Sequence, residues 1–147
     1  MAGGINMTLQ KINLMDAIMI ETVRSNGISN EELIEKALNK DVDDLKNLST
    51  DFDFERLIEL AENEEIFKSI IHDGYQVSFV TRNGLKNLLK LKFQITEGDY
   101  EQIENGYLNL EIHEDTLDSI REMISANWKI REIERNDSKV KVNITVG

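Results

Sequence analysis

The spacing of apolar side chains changes period about halfway along the chain. Up to residue 71 it follows helices, and from residue 75 it alternates in the manner of strands. Ile12, Met15, Met19 and Val23 recur at near-helical spacing, and Asn26-Gly27 supplies a stop. Ser29 is placed to cap a second helix running to about Leu38. Glu32 completes its capping box, and Ile28 and Leu33 stand where a hydrophobic staple needs them. Val42, Leu45 and Leu48 predict a short third helix. Asp53 is a further cap, with Phe52 and Leu57 as its staple. Beyond it Phe54, Leu57, Ile58 and Ala61 form one stripe, and Ile66, Phe67, Ile70 and Ile71 form another. They belong to one helix, or to two broken near Asn63. Gly74 suits the left-handed position that closes such a segment.

In the second half Tyr75, Val77 and Phe79 alternate with polar residues, as do Leu89, Leu91, Phe93 and Ile95. Asn83-Gly84 between them is a turn signal, but Leu85, Leu88 and Leu89 are spaced like a helical turn. The connection therefore reads as a hairpin or as a short helical or bulged segment. Residues 96–106 form an acidic, glycine-containing loop. Leu108, Leu110 and Ile112 alternate as a strand, and a helix over about 114–126 turns Leu117, Ile120 and Ile124 inward. Glu114 and Asp115 favour its start through the helix dipole. Two strands close the chain, one over 128–134 and one carrying Val140, Val142, Ile144 and Val146, joined by a turn at Asn136-Asp137-Ser138. Phe79, Phe93 and Trp128 fall on core positions. The predicted fold is α+β: a helical N-terminal half packed with a small antiparallel sheet of four or five strands that carries one helix. The change of period divides the chain into an acidic helical subdomain, 1–73, and an antiparallel α+β subdomain, 74–147.

Charge sharpens this division. Residues 1–73 hold sixteen acids against seven bases, and residues 74–147 hold twelve against ten, within a net charge of −11 over 147 residues. Arg82, Lys86, Lys90 and Lys92 follow one another with no acid between them. So negative a molecule repels phosphate on average, although a local patch can still bind it. There is no cysteine, which excludes disulfides, thiol nucleophiles and thiolate metal sites. The apolar run Ala17-Ile18-Met19-Ile20 is far short of the ~20 residues of a membrane span, and no secretory signal precedes it. Residues 1–4 resemble a flexible leader, with Met7 as a second start. A cytoplasmic protein without membrane contact is the expectation.

The chain carries few residues arranged for chemistry. His72 precedes a helix-ending glycine and His113 stands at an N-cap, so both are expected in structural roles. No nucleophile elbow, dinucleotide fingerprint or phosphate loop is present, and no catalytic residue, metal or cofactor is expected. Asp51, Asp53, Glu55 and Glu62 match calcium-loop spacing, but Arg56 stands where such a loop needs glycine. Residues 29–48 have the outline of a helix-turn-helix whose second helix offers Asp43, Asp44 and Lys46 to the groove, a set that repels phosphate.

The leading expectation is a small acidic regulatory or adaptor protein of inhibitor, immunity or phage type, working through protein–protein contact without catalysis. Glu31, Glu32, Glu35, Asp41, Asp43 and Asp44 would face the partner, for which a basic protein is the complement. The alternative is a nucleic-acid-binding transcriptional regulator that uses a basic face of the C-terminal sheet. Strand alternation would turn Lys90, Lys92, Lys139 and Lys141 outward with Arg131 beside them, and Arg82 and Lys86 would join the set. Lysines on exposed strands also serve simply to block unwanted pairing. Self-association is open through Ile18 and Ile20, which lie off the first helix's main stripe and would otherwise be interior contacts.

Overall fold

The computed structural model describes residues 9–147. The leader at 1–4 and Met7 lie outside them. The fold is α+β, with the helices mostly in the N-terminal half. The order is β1 (Gln10–Ile12), α1 (Leu14–Ser25), α2 (Asn30–Leu38), a 3-10 helix (Asp43–Asn47), α3 (Arg56–Leu60), α4 (Glu64–Asp73), β2 (Tyr75–Val77) and α5 (Arg82–Phe93). A second 3-10 helix (Glu97–Asp99), β3 (Glu101–Ile103), β4 (Gly106–His113), α6 (Glu114–Met123), β5 (Trp128–Asn136) and β6 (Lys139–Val146) follow.

Side-chain caps set the helix starts. Asn13, Ser29, Asn63 and Thr81 accept the backbone N–H of Asp16, Glu32, Ile66 and Gly84 at 2.7, 3.1, 3.2 and 3.0 Å. The Asn63 cap is why residues 53–73 make two helices: a capping residue takes extended backbone, which ends whatever helix precedes it. Gly74 closes α4 at φ +103°, a region that L-residues with a Cβ avoid. His113 caps α6, its Nδ1 accepting the Asp115 N–H at 3.1 Å.

β1 and β2 form a parallel pair, and α1 and α5, the helices that follow them, pack on each other. The second sheet has the order β3-β4-β6-β5 and is antiparallel throughout. α6 touches β2, β4 and β6 and so bridges the two sheets. Leu117, Ile120 and Met123 on α6 are buried, as are Tyr107, Leu110, Ile112, Val140, Val142 and Ile144 of the sheet. One hydrophobic cluster runs through both halves. The β2–α5 loop is clamped to the start of β5: the Ser125 hydroxyl accepts the Val80 N–H at 2.8 Å, and Trp128 Nε1–H donates to the Val80 carbonyl at 2.8 Å.

Several expectations change. Residues 89–95 are not a strand. They lie in α5 and its C-terminal cap, and Asn83-Gly84 is absorbed into the first helical turn, where Gly84 leaves room for the Leu14 side chain. Phe79 is 59% exposed rather than in the core, because the clamped Val80 takes the inward position. Ile12 belongs to β1 and not to the first helix, and Met15 is exposed. The loop at 96–106 contains a 3-10 helix and the edge strand β3. Ile20 is fully buried and Ile18 packs against the core, so both are interior contacts.

Gly106 joins β4 to β6 at its register with Thr145. A Cβ there would fall on the Ile144 carbonyl and lie 2.8 Å from the Thr145 Cα, backbone that cannot swing aside. Gly106→Ala is expected to lower stability by about 1–3 kcal/mol, read as a lower urea midpoint. An unchanged midpoint would contradict this β4–β6 register.

Candidate functional site

All six acids proposed to face a partner are exposed. α2 brings Glu31 and Glu35 together one turn apart, and both rim a groove between α2 and α4 floored by Ile34 and Leu38. Its volume is about 330 Å³, and Asn39, Lys68 and His72 complete the lining. Lys68 is held at 2.7 Å by Glu64 on its own helix, so its charge is largely answered there. Asp43 and Asp44 are each paired, with Lys46 and Lys36 respectively at 3.3 Å. The Asp43–Lys46 pair is exposed on both sides and contributes little to stability, whereas Lys36 is largely covered and only Asp44 of its pair is exposed. Glu32 and Asp41 are exposed and lie outside the groove lining.

Two acids of the first half are hidden instead. Asp16 accepts two hydrogen bonds from Arg56 Nε and one from its Nη2, at 3.1–3.3 Å, and this pairing raises the Arg56 pKa above its ordinary value. Glu21, 1% exposed, gathers groups from three elements. Tyr75 OH donates to it at 2.5 Å, and Arg24 Nη1 and Lys92 Nζ donate at 3.3 Å. Burial first, and then the Glu21 charge, push the Tyr75 hydroxyl well above its usual pKa. Lys92 also lies 4.8 Å from the Tyr75 ring centroid. This assembly is a fold element: it ties α1 to β2 and α5.

The predicted basic sheet face does not form. Lys90 and Lys92 are on α5, and Lys92 is turned onto Glu21. Arg131, Lys139 and Lys141 do lie on β5 and β6, but Lys141 stands in register with Glu111 and with Glu134, which it pairs at 3.6 Å. Acids and bases therefore intermingle on that face. Helical spacing gives a different arrangement. Arg82, Lys86 and Lys90 recur every four residues along α5, with Asn83 and Asn87 beside them and no acid on the helix. Lys86 reaches across to Glu97 on the second 3-10 helix, a pairing that raises the lysine pKa and lowers that of the glutamate.

α5 and residues 95–100 border a cleft of about 540 Å³, lined by Lys86, Asn87, Lys90, Ile95, Thr96, Glu97, Gly98 and Tyr100. Tyr100 lies in the stretch whose sequence signals only an acidic loop. Its ring packs edge-on against Tyr107 at 4.8 Å, and its buried hydroxyl has no hydrogen-bond partner among the described residues.

The remaining motifs are structural. Asp53 caps a turn by accepting the Glu55 N–H at 3.1 Å. Among the described residues no three His, Asp or Glu side chains converge as metal ligands would. The second segment of the helix-turn-helix outline is a five-residue 3-10 helix, too short to fill a major groove. No helix among the described residues is long and apolar enough to cross a membrane. Comparison with protein-family models, curated proteins and solved structures finds no match.

Proposed function

We propose that this protein is a small cytoplasmic regulator or adaptor that acts by binding another protein, without catalysis, in the manner of an inhibitor, an immunity protein or a phage-type regulator. Its partner is a basic protein, and the acidic α2 and first 3-10 region is the contact. The observation that carries the reading is the groove between α2 and α4. Glu31 and Glu35 flank an apolar floor there, a combination suited to a basic segment that also inserts an apolar side chain. Interfaces of this kind draw affinity from a buried apolar centre and speed and choice of partner from the charged rim. The absence of cysteine is in keeping with a reducing compartment. The test is partner capture with Glu31, Glu32, Glu35, Asp41, Asp43 and Asp44 reversed to lysine. Loss of the partners retained by the wild type supports the surface, and recovery of the same partners removes it.

A second reading, a nucleic-acid-binding regulator, is favoured by one observation: the acid-free row Arg82, Lys86 and Lys90 on α5, interleaved with Asn83 and Asn87. The contact would be this helix and not the sheet. Each phosphate contact would add about 0.9 to the slope of log affinity against log salt on duplex DNA. Absence of binding at low salt removes the reading.

A further inference from the structure

We propose that the cleft between α5 and the second 3-10 helix is a binding site for a small phosphate-bearing molecule, with Glu97 as the built-in competitor of the phosphate.

Three features meet there. The first is charge. Lys86 and Lys90 stand one turn apart on the cleft wall, and α5 contributes no acid. Lys86 is paired with Glu97, whereas Lys90 has no ion-pair partner among the described residues. Lys90 is nonetheless close enough to lower the Glu97 pKa further. Two ammonium groups thus serve one carboxylate, and a dianion would satisfy both.

The second is an unmet polar group. Tyr100 is 9% exposed, lines the cleft, and has a hydroxyl without a partner. A buried hydroxyl left unbonded costs free energy, and an acceptor oxygen delivered into the cleft would relieve that cost once the Lys86–Glu97 pair parts. Lys86 and Glu97 are also among the charges that Tyr100 senses.

The third is the occupant already present. The Glu97 carboxylate lies against Lys86 as a ligand's anion would, and it sits on a three-residue 3-10 helix beside Gly98, whose Cα faces open space. Asp99, the other acid of that helix, is committed elsewhere: its carboxylate accepts the Thr96 N–H at 2.8 Å. Displacing Glu97 therefore moves one exposed side chain and disturbs no backbone pairing. The volume, about 540 Å³, lies within the range of small-ligand sites, and Ile95 supplies an apolar wall. A concave pocket with one orphaned donor suits a compact molecule better than a polymer, which would follow the row of cations along α5.

The test is a titration of the full chain with inorganic phosphate and with phenyl phosphate at constant ionic strength, followed by amide NMR at Lys90, Thr96 and Gly98. Saturable shifts are expected, with a Kd on the order of 1 mM for inorganic phosphate and tighter binding of phenyl phosphate. Lys90→Met weakens binding at least about tenfold. Tyr100→Phe weakens it while leaving the fold intact by circular dichroism. Glu97→Gln strengthens it by roughly fivefold, the worth of the exposed pair that no longer competes. This gain is a result that a purely structural Lys86–Glu97 bridge would not give. No saturation up to tens of millimolar phosphate would overturn the proposal. So would equal or weaker binding by Glu97→Gln, or shifts produced by a single-stranded oligonucleotide but not by either phosphate.

Discussion

Glu21→Ala lowers the stability of the protein by about 3 kcal/mol, toward the low end of the cost of breaking a buried charge network. The side chain is 1% exposed and is the shared acceptor for Tyr75, Arg24 and Lys92. Its removal orphans a buried hydroxyl and leaves two cations without their carboxylate. Arg24 and Lys92 are each 21% exposed, so water recovers part of their solvation and holds the loss below the extreme. Arg24 keeps a second anchor, the Ile71 carbonyl, which its Nη2 reaches at 2.5 Å. Glu21→Gln retains an acceptor for Tyr75 but no charge, and its cost is expected to be roughly half as large. The check is the urea midpoint of each variant at fixed m-value. A loss below about 0.5 kcal/mol for Glu21→Ala would mean that the three donors have no need of their common acceptor.

Reversing Glu31, Glu32, Glu35, Asp41, Asp43 and Asp44 to lysine abolishes partner capture while the chain stays folded. The six side chains are exposed, and the helix beneath them is held by the buried Leu33, Ile34 and Ala37 and by the Ser29 cap. An exposed pair contributes roughly 0.5 kcal/mol. Turning six attractions into repulsions therefore weakens a complex by more than about a hundredfold even without counting the new repulsion. Lys36 and Lys46, which answer Asp44 and Asp43 in the free protein, would then face like charge, so a small loss of stability is expected as well. Leu38→Glu, at the partly buried end of the groove floor, attacks the apolar contact instead. It should raise the off-rate with little change in the salt dependence of the on-rate.

Where one local rule had no rival, sequence and structure agree. Val140, Val142 and Ile144 alternate and are buried in β6. Leu117 and Ile120 mark the inward side of α6, and Ser29 caps α2. The difficulty arises where two periods overlap. Leu89, Leu91, Phe93 and Ile95 alternate by accident, while Leu85, Leu88 and Leu89 are the fully buried stripe of α5. The residues that decide are Thr81, which caps the helix, and a stretch without β-branched side chains from Arg82 to Phe93. β4 conceals a further shift. Asn109 takes φ +59°, and the irregularity between Tyr107 and Leu110 lets both face inward although they are three residues apart.

The sites divide in the same way. The acids of α2 are legible because helical spacing places Glu31 and Glu35 on one face. The Glu21 network is not, since Tyr75 and Lys92 lie 54 and 71 residues away and nothing local marks a glutamate as buried. The basic sheet face failed for a related reason: strand register brings Glu111 and Glu134 to Lys141, and register is a property of pairing between strands. Tyr100 carries no local signal in the sequence, and its place in one cleft with Lys86 and Glu97 follows from the fold alone.

Amide hydrogen exchange of the protein bound to its captured partner tests the central claim most directly. Binding through the acidic α2 and first 3-10 helix predicts slowed exchange over residues 30–47 and on the α4 side of the groove near Lys68 and His72, with β5 and β6 unchanged. Protection confined to α5 or to the outer face of the sheet, with residues 30–47 exchanging as in the free protein, would contradict it.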